Sequence, residues 1–142
     1  MPNNLLIILI LAVMLNMLQF LYSGVNKITK FSSKVNTLEK KVNYIFPKWL
    51  CETGMGGVII LEIVGSIILI IAICCLNSNL SVKKRKIIKY ISIITIILFI
   101  FFIIVATIIY HPPSPQKMIP FLSNLSVIGG FGFLLYILLE NY

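Results

Sequence analysis

The sequence contains no aspartate, a single histidine (His111), a single arginine (Arg85) and three cysteines. Each scarcity excludes a class of chemistry. One chain of this composition cannot assemble paired aspartates, a multi-histidine metal site or a two-Cys/two-His zinc site. One imidazole cannot supply both axial ligands of a haem. Cys74 and Cys75 are adjacent and Cys51 stands apart, so there is no C-x-x-C pair for thiol redox chemistry. No glycine-rich phosphate loop and no Ser-His-Asp set occurs either. No catalytic residue, metal or cofactor is therefore expected.

Charge is scarce as well. Only 11% of the 142 residues are charged while 59% are hydrophobic, and the mean hydropathy is +1.04. An ordinary soluble domain carries about 25% charged residues. So few polar groups cannot cover a water-facing surface, and the composition requires a membrane protein. The charge that remains is lopsided: twelve Lys+Arg against four Asp+Glu, for a net +8. Eleven of the twelve are lysines in a chain crowded with Ile and Asn, a skew that resembles the codon usage of an AT-rich genome such as that of a large virus or a low-GC cell. The lysines sit in short connections between apolar runs, where they read as anchors on an anionic lipid surface. No motif supports nucleic-acid binding.

The expected fold is all-α: a polytopic membrane protein built as a four-transmembrane-helix bundle. Four apolar runs, at about 5–24, 56–76, 87–110 and 123–139, suffice to cross a hydrocarbon core that takes about 20 residues. The first run is expected to be a retained helix and not a signal peptide, because no basic side chain precedes it and no small-residue cleavage site follows. In the long first connection, Val35, Leu38, Val42, Ile45 and Trp49 recur at helical spacing, with Lys34, Lys40 and Lys41 off that stripe. This predicts an amphipathic interfacial helix at about 33–46, lying on the bilayer as a lid or spacer, or docking a partner. The second connection carries Lys83, Lys84, Arg85 and Lys86, a compact membrane-surface cluster. By the positive-inside rule it places both termini in the cytoplasm. The third, from His111 to Pro115, is a stiff proline turn. The sequons at Asn79 and Asn124 fall on opposite sides of the membrane and read as chance matches.

Asn16, Gln19, Ser23 and Lys27 form one polar stripe on the first span. Glu62 is the only acid well inside a span, with Gly65 and Ser66 one turn on. Counted from a helix start near Gly56, Glu62 lies about 10 Å deep at 1.5 Å per residue. The same depth in the antiparallel first span reaches 16–20, so Asn16 and Gln19 are expected to hydrogen-bond Glu62, with Lys27 reaching down along its stem. Asn124, and Gly129 with Gly130, lie at a similar depth in the fourth span, where small residues permit close helix approach. Thr107, Tyr110 and His111 reach the same end. The polar groups thus gather in the half of the bundle facing the first and third connections, and the opposite half is almost pure hydrocarbon.

The run from Phe20 to Lys27, F-L-Y-S-G-V-N-K, resembles the first-helix pattern F-x-x-S-G-x-x-K of the DoxX-like membrane proteins. Glu62 to Leu69 is similar to their E-x-x-G-G-x-x-L, with Ser66 in place of the second glycine, and Asn124 to Gly130 to their N-L-x-x-x-G-G. The arginine that often follows the second helix in that family is missing, and the cluster at 83–86 stands nearby instead. The resemblance implies a four-helix bundle with an extended first connection. That group includes quinone-linked oxidoreductase subunits, cargo receptors and receptor-assembly chaperones, so it implies a fold more directly than an activity. Three functions stay open. One is a non-enzymatic binder of a membrane partner or small apolar ligand through Asn16, Gln19, Ser23, Lys27, Glu62, Asn124, Gly129 and Gly130. The others are a structural component of a virion or organelle membrane and a membrane subunit of a quinone-linked oxidoreductase. The bilayer, a membrane protein or a second copy of the chain are the expected partners.

Overall fold

A computed structural model of the chain describes residues 3–76, 78 and 80–141, so Asn79 of the first sequon lies outside the described residues. The described residues form helices without strands: α1 (Asn3–Thr29), α2 (Phe31–Lys41), α3 (Lys48–Ile60), α4 (Ser66–Cys74), α5 (Val82–Tyr110) and α6 (Met118–Asn141). A π-helical turn, Leu61–Gly65, joins α3 to α4 into one continuous rod, and a single 3₁₀ turn, Pro115–Lys117, precedes α6. Four rods are long and apolar enough to cross a membrane: Leu6–Thr29, Lys48–Cys74, Val82–Tyr110 and Pro115–Asn141. The protein is an all-α, multi-pass membrane bundle, as its composition requires.

The rods run antiparallel to their neighbours. At one end Arg85 Nη2 donates to the Leu76 carbonyl at 2.9 Å and Lys89 Nζ to the Leu139 carbonyl at 3.1 Å. At the other, Lys27 meets Glu62 and Asn124 meets Thr107. The 30–47 and 111–117 connections therefore share one end of the bundle. In-plane order is α1, α4, α5, α6, each packed on the next. The core holds Leu9, Val13 and Met17 of α1 against Leu69, Ala72 and Ile73 of α4, Ile96 of α5 and Leu134 and Leu138 of α6. Large apolar side chains such as Leu15, Ile94, Phe101 and Phe133 point outward at more than half exposure, as a hydrocarbon solvent allows.

Each helix starts or ends further out than the apolar runs alone predict. The first span extends to Thr29, the second begins at Lys48, the third at Val82 and the fourth at Met118. Lysine and polar residues continue a helix through the interfacial layer at little cost, because backbone hydrogen bonds persist while the side chains reach water.

The amphipathic segment departs from its prediction. Its helix is Phe31–Lys41, eleven residues, and it stops where Asn43 (φ 52°) and Tyr44 (φ 56°) adopt the left-handed conformation. Ile45 and Trp49 consequently leave the stripe and stand exposed. Val35, Leu38 and Val42 do not face the bilayer surface; they pack with Phe31 against Cys51, Met55 and Ile59 of α3, with Val35 at 1% exposure. A stripe three residues long buries its apolar area against the neighbouring helix of its own chain, which the short 42–47 connection holds alongside. Tyr44, Ile45, Phe46 and Trp49 at its tip are exposed, in the manner of interfacial aromatic anchors.

Candidate functional site

Glu62 lies inside the π-helical turn at 2% exposure, fourteen residues beyond the start of α3 at Lys48. The widened turn is held by its own chain: the Ser66 hydroxyl donates to the Glu62 carbonyl at 2.6 Å. Single π turns inside α-helices occur often at functional positions. Across from it, α1 approaches closely because Gly24 has no side chain. A Cβ there would stand 2.8 Å from Ile63 Cγ1 and 3.3 Å from Glu62 Cβ. On the opposite side Gly65 admits the Phe99 ring, which would stand 2.9 Å from an added Cβ.

That approach lets α1 supply the partners of the carboxylate. Lys27 Nζ donates to Glu62 Oε1 at 2.6 Å, to Oε2 at 2.8 Å and to Ser23 Oγ at 2.6 Å, while the Ser23 hydroxyl donates to Oε1 at 3.1 Å. The ammonium side chain is 18% exposed. All three ammonium hydrogens and both carboxylate oxygens are engaged, so the pair is electrically closed. A charge in a low-dielectric interior is tolerated only when paired and hydrogen-bonded in this way.

The expected partners of Glu62 need correction in part. Ser23 and Lys27 are brought to it; Asn16 is not. Asn16 is exposed and its amide donates to the Ala12 carbonyl of its own helix at 2.9 Å. The reason is helix length. Glu62 lies fourteen residues inside its rod yet meets Ser23 and Lys27, two to six residues from the end of α1, because the second rod runs on past α1 and packs its first turns on α2. Gln19 lines the same chamber as Glu62 without bonding it. Asn124 Nδ2 donates to Thr107 Oγ1 at 2.8 Å, joining α6 to α5 one layer away from the ion pair. Gly129 and Gly130 are exposed, and a Cβ on either would meet nothing within 4 Å. They are not a close-approach point. The sequence signal for the true ones, Gly24 and Gly65, is their position one residue after Ser23 and three after Glu62. Lys83, Lys84 and Lys86 are exposed on the first turn of α5, and Arg85 turns inward to the Leu76 carbonyl.

Gln19, Phe20, Ser23, Lys27, Glu62, Phe102, Tyr110, His111 and Asn124 surround a chamber of about 190 Å³. Among the described residues, the side chains of Gln19, Tyr110 and His111 have no hydrogen-bond partner from the protein. Phe20 ties the chamber to an aromatic layer. Phe20 of α1, Phe99 of α5 and Phe131 of α6 meet with ring centroids 4.9, 5.8 and 5.1 Å apart, Phe99 and Phe131 stacked. This layer is invisible in the sequence, where the three residues stand far apart, and the half beyond it is not purely hydrocarbon, since Ser92 and Thr95 of α5 are buried there. No group of three His, Cys, Asp or Glu able to hold a metal occurs among the described residues. Comparisons of the chain with protein-family models, with curated proteins and with solved structures give no match.

Proposed function

We propose that this protein is a non-enzymatic, DoxX-like membrane protein that binds a small membrane-borne ligand in the chamber above the Phe20–Phe99–Phe131 layer. One observation carries the reading: three polar side chains without protein partners, Gln19, Tyr110 and His111, face a chamber whose ion pair is already satisfied. Tyr110 and His111 are half-buried while Gln19 is exposed at the chamber's edge; half-buried polar groups normally find partners, so a chamber offering two unpartnered ones is suited to an incoming molecule. Residues of all three DoxX-like motifs line it, Phe20, Ser23 and Lys27 from the first, Glu62 from the second and Asn124 from the third, in support of the resemblance. The Phe20, Phe99 and Phe131 layer argues against conduction of ions or protons across the bundle. Lys83, Lys84 and Lys86 at the opposite end support cytoplasmic termini, with the chamber opening on the far side.

Native mass spectrometry of the protein purified from its membrane tests the reading. Wild type is expected to carry a small-molecule adduct that Gln19→Ala and His111→Ala lose while melting as wild type does. These side chains hold nothing together, so loss of the adduct at unchanged stability separates ligand binding from a role in helix register. Retention of the same adduct by both variants would refute the proposal.

A further inference from the structure

We infer that the ligand is an uncharged single-chain amphiphile drawn from the bilayer, its head in the chamber and its chain along the seam between α1 and α6. The inference rests on the chamber being a ligand site and adds the chemistry and the route.

The seam is the weak side of the bundle. α1 packs on α4, α4 on α5 and α5 on α6, whereas α1 and α6 meet mainly through the Phe20 and Phe131 rings, 5.8 Å apart. Below those rings a second cavity of about 160 Å³ runs between the two helices, lined by Leu9, Val13, Met17, Gly130 and Leu134 among others. Val127 lines both cavities, so one follows the other along α6. From Leu9 to Lys27 the seam is about 27 Å long at 1.5 Å per residue, close to the hydrocarbon thickness of about 30 Å. The lower cavity has one polar lining side chain, Asn16, which donates one amide hydrogen to the Ala12 carbonyl of its own helix. Gly130 is exposed at its edge and leaves it open toward lipid. A long, narrow apolar groove ending in a polar chamber matches one flexible chain with one polar head.

Charge selects the head. Lys27 and Glu62 neutralise one another and are the only Lys, Arg, Asp or Glu lining the chamber. An incoming carboxylate would have to take Lys27 from Glu62, and an incoming ammonium Glu62 from Lys27; either strands a buried charge. A hydroxyl or carbonyl needs no such exchange, because the amide of Gln19, the hydroxyl of Tyr110 and the imidazole of His111 both donate and accept.

The test uses the full chain in phosphatidylcholine nanodiscs and a hexadecanol analogue bearing a diazirine on its chain and an alkyne tag. Saturable labelling is expected on peptides covering 9–17 and 127–134, competed at least tenfold better by hexadecanol than by palmitate or hexadecylamine. Gly130→Leu, whose Cβ meets nothing within 4 Å, places its isobutyl group in the groove and is expected to reduce competable labelling at least tenfold while the melting temperature holds. Equal competition by palmitate or hexadecylamine overturns the neutral head. Labelling that does not saturate, or that ignores Gly130→Leu, overturns the seam. If seam labelling fails while Gln19→Ala and His111→Ala still lose the native adduct, only the present inference falls. If those variants also keep the adduct, the chamber reading falls with it.

Discussion

Removing the Lys27 ammonium while keeping its length, as in Lys27→Met, leaves the Glu62 carboxylate at 2% exposure with only the 3.1 Å Ser23 hydrogen bond. Breaking a buried pair from one side costs about 3–5 kcal/mol, mostly because the remaining charge is uncompensated. Glu62→Gln should cost less, about 1–2 kcal/mol, since Lys27 stands two residues from the end of α1 and its stem can carry the ammonium outward. The double variant removes both charges and should recover much of the single loss. A double-mutant cycle on reversible unfolding in mixed micelles, titrated with SDS and followed by circular dichroism, should return a coupling of at least about 2 kcal/mol. Exposed ion pairs give about 0.2–1 kcal/mol. A coupling of about 1 kcal/mol or less, the range of exposed pairs, or a Lys27→Met protein as stable as wild type, would refute the claim that the pair is buried and closed.

Glycine substitutions should separate the two kinds of glycine. Gly24→Ala is expected to destabilise by about 1–3 kcal/mol through overpacking on Ile63, whereas Gly129→Ala, with open space around it, should leave the melting temperature equal or higher. The Ser92 hydroxyl is buried on α5 without a partner, so Ser92→Ala should be neutral or stabilising by about 1 kcal/mol, read from the same SDS titration. Val35→Lys should release α2 from α3 and expose Cys51, now 4% exposed, to maleimide labelling at least tenfold faster than in wild type. Replacing Lys83, Lys84 and Lys86 by Gln should weaken the orientation signal, scored by reporter tags on either terminus.

Much of the fold was legible in one dimension. Runs of Ile and Leu long enough to span hydrocarbon admit only helices there, since every backbone polar group must be satisfied within the segment. The second span showed the limit of the same rule. Hydropathy begins near Gly56, but the helix begins at Lys48 because the first turns of α3 are sheltered by α2. The spacing of Ser23 and Lys27 and the isolation of Glu62 marked three members of the site. Asn16 shares their stripe but bonds Ala12 and not Glu62, because a stripe three or four residues apart drifts around a straight helix and fixes no height against a partner.

By itself the sequence determined the solvent and the element type. Scarce charge and four apolar runs require a membrane and helices, and a single acid within those runs requires a cation nearby. Tertiary structure alone decided which cation, at what depth, and what surrounds the pair. Gly24 and Gly65 set the distances between rods, Glu62 lies within the π turn, and Phe20, Phe99 and Phe131 form one aromatic layer across α1, α5 and α6. Those are relations between helices, fixed by packing of side chains far apart in the chain, and no local pattern encodes the rotation or register of one rod against another.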